Sequence, residues 1–316
     1  MPALYGTTGA AQDLSIRAIG SRTSTALLYL GLFCLPILVL GSSNRRLNTN
    51  SAILRVLPAL SGGLFALLSI YFTFGMLERR MPIGGNILIL QGLGPLSLHG
   101  AYEKLPTSFW AIVTALSIVG GMLLVRGITA FSMTVIEKWS LSNLRDEDIV
   151  QIFFLASAGT YAAPILIGGF YDRYLVPLVP FLLYLNTGRL SREDVGATMR
   201  KSVSAVLIVF AALFAVLGTR DYLTWNRVRW EALTELLKTV SVSARDIDGG
   251  YEYNGWSSYC LTYQEALKKL GGFDTAKYRV TYSEMPGFKT VKKYEYLIWM
   301  PPKVHTIYVL ERNSVS

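Results

Sequence analysis

Apolar residues gather into six runs along the chain, at 24–40, 53–77, 108–130, 149–168, 174–186 and 202–218, with polar stretches between them. A helix needs about 20 mostly apolar residues to cross a bilayer, and all the runs but one approach or exceed that length. The exception, YLVPLVPFLLYLN at 174–186, is short and carries Pro177 and Pro180. It reads either as a crossing or as a re-entrant segment.

The pattern changes from residue 220 onward, where no run is long enough to span. Leu223, Trp230, Leu233, Leu237 and Val240 recur at helical spacing, which predicts an amphipathic helix over 222–240. In RDIDGGYEYNGW, the pairs Gly249-Gly250 and Asn254-Gly255 signal turns. Thr262 followed by Glu265 has the pattern of a capping box and predicts a helix that stops at Gly271. Three β-rich runs follow, at 278–282, 293–300 and 306–310, separated by Pro286-Gly287 and Pro301-Pro302. The expected fold is an α-helical integral membrane protein of about six transmembrane helices with a small C-terminal α/β or α+β extracytoplasmic domain. Its parts are an outward-facing polar segment at 1–23, a transmembrane helical domain at 24–219 and a soluble domain at 220–316.

Composition agrees with that pattern. The chain is 52% hydrophobic and only 16% charged, with mean hydropathy +0.38, whereas soluble domains are about 25% charged. Disorder and disulfide-dense secreted folds are excluded. Cys34 lies in an apolar run and Cys260 in the polar tail, while His99 and His305 stand apart, so no zinc-ligand spacing exists. The net charge of +9 would raise nucleic-acid binding in a soluble protein, but cytoplasmic loops of membrane proteins also collect basic residues.

The loops 42–52, 131–148 and 187–201 carry Arg45, Arg46, Lys138, Arg145, Arg189, Arg192, Arg200 and Lys201. The loops 78–107 and 169–173 carry only Arg79, Arg80, Lys104 and Arg173. Six crossings then put the first set in the cytoplasm and both termini outside, as in a multi-pass protein of the cell (inner) membrane. The polar start lacks the apolar core of a signal peptide, which predicts that the chain is the back half of a longer protein. Every Asp and Glu lies outside the apolar runs, which argues against an ion-coupled transporter.

Three outward segments carry candidate chemistry. In the loop at 78–107, Gly92 and Gly94 can let the backbone approach a ligand; alternatively the loop is a packed connector. In Tyr171-Asp172-Arg173-Tyr174, the arginine can pair with a lipid phosphate at the headgroup level, where tyrosines also favour the interface. The alternative is a local Asp172–Arg173 pair. Asp246, Asp248 and Glu252 lie among Tyr251, Tyr253 and Trp256. Acid with aromatic suits a sugar and is also ordinary turn chemistry. Trp139, among charges in the 131–148 loop, fits an interfacial helix.

Taken in order, MPIGGNILILQGLGPLSL, YDRYLVPLVPFLL, a basic loop, a last apolar run and RDIDGGYEYNGW resemble the C-terminal half of bacterial multi-pass glycosyltransferases of the GT-C type. The nearest group is the family related to protein O-mannosyltransferases and the lipid A aminoarabinose transferase, and the resemblance covers about 28–256. It implies transfer of a sugar from a polyprenyl-phosphate carrier at the outer membrane face, with inversion, an acidic base and often a divalent metal; no cofactor is visible in the sequence itself. The family's acid lies in an outward loop after its first span, which has no equivalent here. The expectation is therefore a portion of such an enzyme that lacks its N-terminal catalytic half, either as a fragment or as a chain that works with a separately encoded N-terminal half. The resemblance assigns the carrier phosphate to Arg173, flanked by Tyr171 and Tyr174, and places the 81–98 loop with Gly92 and Gly94 beside the carrier. Expected partners are membrane lipid and the polyprenyl-phosphate-linked sugar donor, and not nucleic acid. The competing expectation is a non-enzymatic membrane-anchored protein whose 220–316 domain binds a glycan or a protein partner.

Overall fold

The computed structural model describes residues 15–42, 52–76, 80–83, 85–94, 98–100, 102–140, 146–187, 197–239, 242–257 and 276–313. The chain divides into two compact units, one made of Met1–Leu88 and Pro106–Ala212, the other of Ile89–Leu105 and Leu213–Ser316. The predicted capping-box helix at Thr262 and the residue Cys260 lie outside the described residues, as does most of the polar start.

The first unit is helical. Its elements are α1 (Ile16–Leu40), α2 (Ala52–Ile70) with a π-helical extension over Tyr71–Met76, α3 (Thr107–Ser140), α4 (Asp146–Gly168) and α5 (Leu178–Thr187). The start of α6 (Ala197–Thr239) belongs here too, and its later part to the second unit. Ser15 opens α1 by accepting from the Ala18 N–H at 3.2 Å, which satisfies one of the orphan donors of the first turn.

Helices α1 and α3 meet backbone to backbone. A Cβ on Gly31 would lie 2.2 Å from the Gly121 nitrogen, and one on Gly120 would lie 2.2 Å from the Gly31 oxygen. Small residues permit such an approach, a common device between membrane helices. A Cβ on Gly121 would also meet the Phe65 ring of α2 at 2.5 Å, so the glycine pair of α3 seats both neighbours. Ser61 adds a polar contact from α2 to Thr129 at 3.0 Å.

Among the described residues, five helices are long and apolar enough to cross a membrane. The expected number was six. The run at 174–186 is instead split into a 3-10 turn, Asp172–Leu175, and the ten-residue α5. Pro177 donates no N–H and so removes one rung of the helical ladder at the break, although Val176 before it keeps helical backbone at φ −57 and ψ −43. Large apolar side chains stay uncovered on α2 (Leu60, Leu64, Leu67), α4 (Phe153) and α6 (Val206, Val209, Phe210). Apolar area of this extent is not left bare in water. Together with the long apolar helices it suggests a membrane protein.

The second unit holds a four-stranded sheet in the order β3-β4-β6-β5, built from β3 (Ile247–Asp248), β4 (Tyr278–Thr281), β5 (Phe288–Trp299) and β6 (Pro302–Arg312). β3 is parallel to β4 and the other pairs are antiparallel. The β-rich runs of the sequence are thus strands, with β5 and β6 longer than predicted because they pair as one hairpin from Phe288↔Arg312 to Trp299↔Pro302. Trp225, Leu233 and Leu236 of α6 close the core against Ile247, Val280, Ile298 and Ile307, in line with the helical period read over 222–240. RDIDGGYEYNGW differs from its expectation. Its second half is a short helix, α7 (Tyr251–Ser257), not a turn at Asn254-Gly255. The Asn254 side chain accepts from the Gly249 N–H at 3.1 Å and donates to Asp248 at 2.9 Å, which ties the helix back to the strand.

Two short strands, β1 (Leu88–Ile89) and β2 (Gly92–Leu93), form a hairpin in the loop between α2 and α3. Residues 89–105 join the second unit through specific fits. Gly94 sits at φ +84, where a Cβ would strike the Tyr222 ring at 2.3 Å, and a Cβ on Gly218 would strike Leu93 at 2.5 Å. Lys303 reaches Glu103 at 2.6 Å, and the Tyr282 N–H donates to the His99 carbonyl at 2.8 Å.

Candidate functional site

Residues 80–83 and 85–87 are irregular, so their backbone groups need partners from elsewhere. Three side chains of the first unit supply them. Thr114 of α3 accepts from the Met81 N–H at 2.9 Å. The Tyr29 hydroxyl of α1 accepts from the Ile83 N–H at 2.9 Å and donates to the Ile83 carbonyl at 3.1 Å. Asp172 does most. Its carboxylate accepts from the N–H groups of Asn86 (2.7 Å), Ile87 (2.8 Å), Leu88 (2.7 Å) and its own neighbour Arg173 (2.9 Å). The side chain is fully buried, and a buried carboxylate is tolerable only when its lone pairs are taken up in this way. Gly85 makes room for the turn, since a Cβ there would lie 1.6 Å from the Leu88 oxygen.

Arg173 follows directly and is exposed. Its guanidinium lies over the Tyr171 ring at 5.3 Å and the Tyr174 ring at 5.1 Å, and donates to the Tyr174 hydroxyl at 3.3 Å. Asn86 approaches its other end at 3.5 Å. Tyr174 is held in turn by Tyr161 of α4, whose hydroxyl donates to the Tyr174 carbonyl at 3.1 Å. The structure therefore brings Tyr171, Arg173 and Tyr174 together. Both terminal nitrogens thus have partners within the protein, and an anion at this guanidinium would share or replace the contacts to Asn86 and Tyr174. Asp172 spends its oxygens on the loop backbone. Sequence reasoning named Asp172 only as a partner for Arg173 and missed this anchoring role.

Gly92 and Gly94 belong to the second unit. Both have positive φ, +135 and +84, and the space at Gly94 is taken by Tyr222. The acidic and aromatic cluster around 246–256 is in the same unit. Asp248 is buried, bonded to Asn254 and within 3.5 Å of His99 and 3.8 Å of Arg279. Glu252 pairs with the fully buried Arg229, whose guanidinium lies over the Trp225 and Trp230 rings at 5.2 Å each. These carboxylates hold the fold together. Tyr251 and Trp256 remain exposed.

His305, on β6, stacks on Tyr102 with ring centres 4.7 Å apart and lies near Tyr296. Burial pushes its pKa below the usual value, Glu103 opposes that, and Lys303 adds to it. The folded protein thus keeps the imidazole neutral to lower pH than the unfolded chain does. Its contribution to stability is complete above about pH 6.5 and is lost as pH falls from there through the folded value. We expect the unfolding temperature to drop on acidification across this window and the drop to be smaller in His305→Gln, measured by thermal unfolding in detergent.

Among the described residues, no three His, Cys, Asp or Glu side chains gather so as to hold a metal ion. At Arg173 the nearby carboxylate, Asp172, has its oxygens engaged by four N–H donors. This group of residues does not fit the divalent metal that the resemblance implies. No protein-family model matches the chain, and no curated protein or solved structure is significantly similar to it.

Proposed function

We propose that this chain is part of a membrane glycosyltransferase of the GT-C type, in which Arg173 receives the phosphate of a polyprenyl-phosphate-linked sugar at the extracytoplasmic surface. The observation that carries the reading is the posture of Arg173. The side chain is exposed, its guanidinium lies against the Tyr171 and Tyr174 rings, and it stands beside a loop that Asp172 fixes in place. A phosphate monoester or diester accepts two parallel N–H bonds from such a fork.

The make-up of the second unit supports the membrane arrangement. Residues 89–105 and the part of the chain after the last apolar run, 220–316, belong to one compact unit, which favours the same side of the bilayer for both. Between them lie α3, α4 and α6, three long apolar helices. On this reading the segment at 172–187 supplies a fourth crossing, which makes the number even. Its 3-10 turn, the intervening residues and α5 together reach about 25 Å at 2.0 Å and 1.5 Å per residue, close to the roughly 30 Å of hydrocarbon.

The test is carrier binding. A charge-assisted hydrogen bond contributes about 1.5–3 kcal/mol, so Arg173→Ala should lose about ten- to a hundredfold in affinity for polyprenyl phosphate. Arg173→Lys should fall between, because a point charge cannot make the paired contact. Arg173 is exposed, so thermal stability should hold in both variants. Unchanged affinity in Arg173→Ala would remove the basis of the reading.

A further inference from the structure

The β5–β6 hairpin has a graded outer face. Directly paired residues of an antiparallel hairpin share a face, and the pairs here run Lys293↔Tyr308, Glu295↔Thr306, Leu297↔Val304 and Trp299↔Pro302. The far end is charged and polar, and the tip is apolar. Leu297, Trp299 and Val304 are 47%, 50% and 57% exposed, although Tyr296 and Ile298, which alternate with Leu297 and Trp299, are core residues.

This tip is fastened to α6 where the helix changes character. The Asp221 carboxylate accepts from the Trp299 N–H at 2.9 Å and the Met300 N–H at 2.9 Å. Arg220 donates to the Leu297 carbonyl at 3.0 Å, and its guanidinium lies 4.4 Å over the Trp299 ring. Leu213 and Val216, two turns and one turn before Arg220, share its helical stripe, and both are more than half exposed. Arg220 and Asp221 follow, after Thr219, the apolar run that ends at 218. The stripe of α6 and the hairpin tip thus form one apolar surface with an arginine at its polar edge. Tryptophan and a snorkelling arginine at that level are the chemistry of a bilayer interface.

We propose that the β5–β6 hairpin tip is a membrane foot, with Leu297, Trp299, Pro302 and Val304 entering the headgroup and upper acyl region of the bilayer crossed by α6. The foot fixes the height of the second unit over the lipid surface, while the charged end of the same face stays in water. This rests on α6 crossing the bilayer and is independent of the glycosyltransferase reading.

The full chain, with Cys34 and Cys260 replaced by serine, is labelled with a polarity-sensitive fluorophore at Val304→Cys or at Glu295→Cys. Both positions are exposed, and they lie on one face. After reconstitution in phosphatidylcholine vesicles containing lipid with a nitroxide on the upper acyl chain, the label at 304 should be blue-shifted. It should also be quenched several-fold more strongly than the label at 295. Equal quenching at the two sites overturns the proposal. A blue shift at 304 without nitroxide quenching also overturns it, because another protein surface would then cover the tip.

Discussion

Asp172→Ala is expected to destabilise the protein by on the order of 3–5 kcal/mol, close to the upper end for a single substitution. The carboxylate is fully buried and receives four backbone N–H groups, three of them from Asn86, Ile87 and Leu88. Its removal leaves those donors without an acceptor, at about 1–3 kcal/mol for each group that water does not reach. Asp172→Asn keeps the shape and one carbonyl oxygen but turns an NH2 toward N–H donors, so it should also destabilise, by less. Thermal unfolding in detergent reads the effect, and proteolysis within the 80–88 loop should accelerate in parallel. Wild-type stability in Asp172→Ala would contradict the anchoring role. The same variant separates the roles of neighbours. Arg173→Ala should alter carrier affinity and spare stability, whereas Asp172→Ala should lose stability first.

Gly31→Ala should be the second most damaging change. The added methyl would meet the Gly121 nitrogen at 2.2 Å and the Gly120 carbon at 2.5 Å. Both are backbone atoms of a long helix and cannot swing aside. α1 and α3 would have to separate along their crossing, which also loosens the Phe65 contact with Gly121. Overpacking of this kind costs about 1–3 kcal/mol, occasionally more. Gly63→Ala is the matched control, because a Cβ there meets nothing within 4 Å. Equal unfolding temperatures for Gly31→Ala and Gly63→Ala would show that the helices do not cross as closely as described.

These two sites also show what could be read along the chain. Five apolar runs became long helices because contiguity and hydropathy are local properties. The strands at 278–281 and 302–312 were foreshadowed by their β-branched and aromatic content between proline and glycine breaks. The partners of Asp172 were hidden because they lie 84 to 86 residues away and are backbone N–H groups, which leave no mark in side-chain chemistry. Gly31 was visible as a glycine, but its role depends on a helix register that no local pattern sets. Asn254-Gly255 predicts a turn where the structure has α7, since the two Asn254 hydrogen bonds that hold the helix to Asp248 and Gly249 are made only in the folded strand–helix unit. Tyr171, Arg173 and Tyr174 were adjacent in the chain, and the structure adds that the guanidinium stacks on both rings.

The most direct measurement locates the carrier on the protein. A polyprenyl phosphate bearing a photoactivatable group next to its phosphate is irradiated with the full chain in a bilayer, and the adducts are mapped by mass spectrometry. The account predicts adducts within 83–88 and 171–174, suppressed by excess unlabelled polyprenyl phosphate and much reduced in Arg173→Ala. Adducts confined to the exposed apolar faces of α2, α4 and α6, indifferent to the competitor and to Arg173→Ala, would contradict it.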